Sequence, residues 1–64
     1  MRYPNIRART ESENPIALVA AVRAELRLAR VEPTEIERFS EQALTQARAD
    51  AIRAVCKAWV NIGD

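Results

Sequence analysis

Apolar residues in the first half of the chain recur every three or four positions, the spacing that defines one face of a helix. This stripe consists of Leu18, Val19, Val22, Leu26 and Ala29. Asn14 is a favourable N-cap residue, and Pro15 suits the first helical position because a backbone N–H there would lack a partner anyway. Pro33 cannot continue the helix. The pattern therefore predicts a first helix over residues 15–30.

Two more helices follow, and the phase of their apolar residues separates them. The second stripe consists of Ile36, Phe39, Ala43 and Leu44, and the third of Ile52, Val55, Trp59 and Ile62. On a helical wheel the two stripes point more than about 90° apart, so one straight helix cannot bury both. We predict helices over residues 33–45 and 48–61, with a break near 45–48. The third helix is expected to end before Gly63, since Gly is favoured just beyond a helix C-terminus.

No segment alternates between apolar and polar residues with a period of two, so the sequence predicts no strand. Residues 1–13 show no helical periodicity either, and we interpret them as a flexible N-terminal arm before a three-helix domain over residues 14–62. The alternative is that Tyr3 and Ile6 dock on the helices and hold the arm in place. The predicted fold class is all-α: a small three-helix bundle with an extended or disordered N-terminal arm.

The predicted core combines the buried stripes of the three helices. Its residues are Leu18, Val19, Val22, Leu26, Ile36, Phe39, Ala43, Ile52, Val55 and Trp59. Cys56 lies at the edge of the third stripe, and we expect it to act as a small buried hydrophobic residue.

The composition argues against an enzyme. The 64 residues include one Cys, one Gly and no His. A single Cys excludes an internal disulfide, and without His we expect neither a zinc site within the chain nor a His-activated nucleophile. The only Gly is Gly63, so a glycine-rich phosphate loop is excluded as well. We predict no catalytic residue, no cofactor and no metal.

The apolar run over residues 16–22 is the longest in the chain and is too short to span a membrane. Glu11 and Glu13 precede it, which is unlike the basic start of a signal peptide. We therefore expect a cytoplasmic protein with no membrane partner. The abundance of Arg and Ala, whose codons are GC-rich, is typical of proteins from high-GC bacteria.

The first helix has more apolar residues than one buried face needs. A second stripe, about 150° from the first on a helical wheel, consists of Ala17, Ala21, Ala24 and Leu28. The simplest interpretation is that the first helix is central and covered on both faces. The alternative is that small residues let another helix approach closely, in a homodimer or in a complex with another protein. We predict a non-enzymatic interaction or regulatory module with this stripe as its candidate interface.

Nucleic-acid binding is the alternative function. Its candidate phosphate contacts are Arg7, Arg9, Arg23, Arg27 and Arg30, and the second and third helices can be read as a helix-turn-helix. Three observations weigh against it: the acidic second helix would face the phosphates, the turn has no Gly, and the net charge is only +1. A weak DNA- or RNA-binding accessory protein is therefore the second prediction.

Overall fold

Three helices and two short strands form the fold in the computed structural model, which describes residues 1–63. In chain order the elements are β1 (Tyr3–Ala8), α1 (Pro15–Leu28), α2 (Pro33–Leu44), α3 (Ala49–Trp59) and β2 (Val60–Ile62). The three predicted helices are confirmed to within two residues at each end. The all-α fold class is wrong, because the two ends of the described chain pair as a small parallel sheet. The fold is α+β.

Local signals set both ends of α1. The Asn14 Oδ1 accepts a hydrogen bond from the Ile16 N–H at 2.9 Å, as expected of an N-cap. At the other end the Val31 N–H donates to the Leu26 carbonyl and the Arg30 N–H to the Arg27 carbonyl, both at 3.0 Å. These two bonds make a Schellman motif, in which the residue just beyond the helix is left-handed.

Arg30 occupies that left-handed position with φ of 63°, although glycine is favoured there. For a residue with a Cβ this conformation costs roughly 1–2 kcal/mol. We therefore expect Arg30→Gly to raise the free energy of unfolding by about 1 kcal/mol, measured by urea denaturation. Ala29→Gly is the control, because Ala29 has φ of −81° and gains nothing from glycine. Equal stability of Arg30→Gly and the wild type would contradict this account of the helix end.

The predicted break between the second and third helices is confirmed. Thr45 caps α2: its Oγ1 donates to the Glu41 carbonyl at 2.7 Å. The Gln46 N–H bonds the Ala43 carbonyl at 3.3 Å, and α3 begins at Ala49. The helix α3 ends at Trp59, two residues before the predicted end, because Val60 is already extended, with φ of −137° and ψ of 170°. The chain passes from α3 into β2 without a loop.

β1 and β2 run parallel, with Tyr3 beside Val60, Arg7 beside Asn61 and Ala8 beside Ile62. Parallel strands need a long crossover connection, and the three helices together supply it. The pairing is irregular between Tyr3 and Arg7, which removes the period-two alternation by which a strand is detected. The expectation of no strand was wrong for this reason.

The N-terminal residues predicted as a flexible arm are thus held in the fold. Tyr3 and Ile6 pack against the core, which confirms the docking alternative, and Ala8 is buried. Glu35 on α2 forms an ion pair with Arg2 at 2.6 Å, and it accepts a hydrogen bond from the Tyr3 hydroxyl at 3.3 Å. The folded domain was predicted to begin at residue 14, but it also includes the N-terminal strand β1.

The core lies between the three helices and the inner face of the sheet. Nine of the ten predicted core residues are buried, and Val55 is partly buried. Ala8, Cys56 and Val60 join them. The Trp59 Nε1 donates to the Gln42 side-chain oxygen at 2.9 Å, so the indole is buried with its polar atom paired. Burial raises the pKa of the Cys56 thiol, which stays protonated and unreactive at neutral pH.

Candidate functional site

Familiar kinds of site are missing from the described part of the chain. Within residues 1–63, no group of three or more His, Cys, Asp or Glu residues is placed to hold a metal ion. No helix over the same residues is both long and apolar enough to cross a membrane. The candidate site is instead the exposed surface of α1.

The four residues of the predicted interface do not share one environment. Ala17 and Ala21 are half-buried, whereas Ala24 and Leu28 are exposed. Leu28 is 77% exposed, the largest value among the large apolar side chains exposed in the described residues. α1 packs against β1 as well as against α2 and α3, so the covered arc of this helix is wider than three helices alone would make it. The role of these four residues as an interface stays a prediction.

The exposed apolar residues of α1 instead follow a line displaced from the predicted stripe. They are Ile16, Ala20, Ala24 and Leu28, and we call this set the outer ridge. Its members are four positions apart, which makes a continuous ridge on a helix surface. Ile16 is 51% exposed and Leu28 is 77% exposed, so each end of the ridge holds a large apolar side chain and the middle holds two small ones.

A basic flank runs along one side of the outer ridge. Arg23 and Arg27 line a shallow groove of about 330 Å³ with Ala20 and Ala24. The same two arginines border a second depression, of about 170 Å³, between α1 and α2, where Glu37 lies on the far side. The outer ridge therefore lies beside a surface that presents two guanidinium groups.

Arg23 has a side-chain donor without a hydrogen-bond acceptor in the described part of the chain. Its Nε atom is buried, yet it has no hydrogen-bond acceptor within residues 1–63. Leaving a buried donor unpaired costs roughly 1–3 kcal/mol, and more when the group is charged.

The opposite flank of the ridge is acidic. Residues 23 and 25 each lie about 100° from Ala24 around the helix, on opposite sides, so Glu25 mirrors Arg23. Glu25 is half-buried. None of the ion pairs formed within residues 1–63 includes Arg23, Glu25 or Arg27. The ridge is thus bordered by one basic and one acidic side, and their charges are not paired within the described chain.

The candidate nucleic-acid contacts are divided between separate places. Arg23 and Arg27 lie beside the outer ridge, and Arg30 lies in the left-handed turn after α1. Arg7 is on β1, and Arg9 follows that strand. Arg9 borders a cleft of about 260 Å³ that it shares with Arg53 and Lys57. That cleft has no residue in common with the two depressions beside Arg23 and Arg27.

Sequence reasoning identified half of the outer ridge, Ala24 and Leu28, and missed Ile16 and Ala20. The missed residues carry a signal: together with the other two they lie opposite the buried stripe on the helical wheel. The basic cleft was missed because Arg53 and Lys57 on α3 meet Arg9 only through the pairing of β1 with β2.

No protein-family model, no curated protein and no solved structure matches this chain. Its function must therefore be inferred from its own surfaces.

Proposed function

We propose that this protein is a non-enzymatic interaction module that binds another protein chain through the outer ridge of α1. The observation that carries the proposal is the outer ridge itself, where Ile16 and Leu28 expose large apolar side chains on one line. A single exposed apolar residue on a protein surface is ordinary, but a contiguous apolar line with charged borders is typical of a binding surface. A facing helix would remove Leu28 and Ile16 from water.

The flanking charges support the same proposal. Protein interfaces have an apolar centre and a polar rim, and Arg is enriched in them. The small side chains of Ala20 and Ala24 form the centre of this surface. Arg23 and Arg27 border it. No ion pair within residues 1–63 includes Arg23 or Arg27, which favours a partner that brings an acidic group to this border.

We further propose that the module acts in the cytoplasm. Cys56 is a free, fully buried thiol that serves as part of the core. Free thiols are typical of proteins in reducing compartments, which supports this location.

Nucleic-acid binding is the weaker candidate, since Arg9 borders one depression, Arg23 and Arg27 border another, and the net charge is only +1. A protein that neutralised several phosphates would lose affinity steeply between about 50 and 200 mM salt. Titration of the purified protein with a random duplex at low salt distinguishes the two candidates, and the interaction-module proposal predicts no binding.

We expect Ala24→Glu to abolish the interaction while leaving the fold intact. Ala24 is exposed on α1, and Glu is a good helix former. A charge at the centre of the outer ridge, however, cannot be buried against a partner without a large desolvation cost. The measurement is the elution volume of the tagged protein in extracts of its native host, by size-exclusion chromatography.

Ala47→Glu is the matched control, because Ala47 is exposed in the turn between α2 and α3 and is not part of the outer ridge. The wild type and Ala47→Glu should elute in the same complex, and Ala24→Glu as the free chain. Elution of the wild type as the free chain, or identical elution of the two variants, would overturn the proposal.

A further inference from the structure

We infer that the occupant of the outer ridge is a second copy of this chain, with the two α1 helices crossing in the same direction about a twofold axis. The inference rests on the proposed function of the outer ridge and adds the identity and orientation of the partner. Two features of the surface carry it: the shape of the ridge and the charges on its two flanks.

The shape of the ridge suits a copy of itself. Ridges built from residues four apart pack into the grooves of an identical ridge when helices cross at about −50°, the commonest crossing in globular proteins. A close crossing needs small residues at its centre, and Ala20 and Ala24 occupy the middle of the ridge. Ile16 and Leu28, at the two ends, would then pack beside the crossing point, where their exposed apolar area is removed from water.

The charges of the flanks set the direction of the second copy. A twofold axis with both helices in the same direction places the basic flank of one copy against the acidic flank of the other. Arg23 and Arg27 would then face the partner's Glu25, and the same contacts would repeat on the other side of the axis. With the helices in opposite directions, the basic flank of one copy would meet the basic flank of the other, and arginine would face arginine at the centre. Like charges in contact cost several kcal/mol at an interface, so the same-direction arrangement is favoured.

This arrangement also provides for the groups left unpaired in the single chain. No ion pair within residues 1–63 includes Arg23, Glu25 or Arg27. A carboxylate from the second copy would accept from the guanidinium on each side of the twofold axis. One chain thus carries both halves of the contact, as a symmetric dimer requires.

Charge exchange tests the inference on the purified full chain by sedimentation equilibrium. The wild type should dimerise at high micromolar concentration. Arg27→Glu places like charges opposite Glu25, and Glu25→Arg places them opposite Arg23 and Arg27, so each variant alone should dimerise at least about tenfold more weakly. An equimolar mixture of the two variants should dimerise more tightly than either variant alone, because one side of the heterodimer keeps the wild-type contacts and the other pairs the two substituted side chains with opposite charges.

Arg48→Glu and Glu41→Arg carry the same charge changes on exposed positions outside α1, at the N-cap of α3 and on α2, and should dimerise like the wild type. Far-UV circular dichroism checks that every variant is folded. If Glu25→Arg unfolds, Glu25→Gln takes its place in the single-variant comparison and Ala24→Glu must abolish the dimer.

A monomeric wild type would overturn the inference but not the proposed function, whose host complex would then contain a different protein. A wild-type dimer unaffected by either charge change would overturn it too. Weakening in both variants without recovery in the mixture would exclude the same-direction arrangement.

Discussion

Phe39→Ala is expected to leave the chain largely unfolded. Phe39 is fully buried, and its ring meets that of Trp59 edge-on with 5.5 Å between the centroids. Truncating a buried Phe to Ala costs about 3–5 kcal/mol through lost burial and the cavity that remains. A single core in a domain of this size rarely supplies more than about 3–5 kcal/mol of net stability, so the substitution removes most of it.

The measurement is far-UV circular dichroism followed through urea denaturation. Leu44→Ala is the matched control on the same helix, since Leu44 is 49% exposed and should lose well under about 1 kcal/mol. Phe39→Ala with a cooperative transition near that of the wild type would contradict the assignment of Phe39 to the centre of the core.

Ala8→Asp is expected to be almost as disruptive, although the substituted residue lies in a segment that sequence alone marks as flexible. Ala8 is 2% exposed at the end of β1, beside Ile62 on β2. A carboxylate left unpaired in a buried position costs about 3–5 kcal/mol, and the larger side chain adds strain. Trp59 fluorescence reports the loss, because Tyr3 on the same strand packs 6.0 Å from the Trp59 ring.

Asn5→Asp introduces the same carboxylate on the exposed side of the same strand, and it should leave the free energy of unfolding within about 0.5 kcal/mol of the wild type. If the two substitutions have equal and small effects, the N-terminal segment is a free arm and the paired strands are wrong.

The helices could be predicted because their signals are local. Asn14 and Pro15 mark the start of α1 within two residues, and Pro33 marks the start of α2. The break before α3 has no Gly or Pro, yet the change of phase between the Phe39 and Ile52 stripes places it correctly.

The strands could not be predicted because their signal is not local. β2 has three residues and continues directly from α3, so its apolar residues read as one more helical turn. β1 has an irregular register, and its partner lies at the other end of the chain. Each strand is stable only because the three helices bring the two together.

The candidate site was half predicted for a related reason. The sequence showed that α1 has a surplus of apolar residues, but it did not show which of them β1 covers. Ala17 and Ala21 are half-buried, and the exposed line passes through Ile16 and Ala20 instead. A small error in the covered arc shifts this part of the predicted helix surface by one position, which exchanges Ala17 and Ala21 for Ile16 and Ala20.

A photo-crosslinking side chain in place of Leu28 tests the central claim, that the outer ridge is a binding surface. Leu28 is 77% exposed at one end of the ridge, so a reactive group there should touch whatever chain covers α1. The same group at Ala47 is the control. We predict that irradiation of the native host yields a discrete crosslinked protein from position 28, absent from position 47 and lost when Ala24→Glu is added. No crosslinked protein from position 28, or the same products from both positions, would contradict the account.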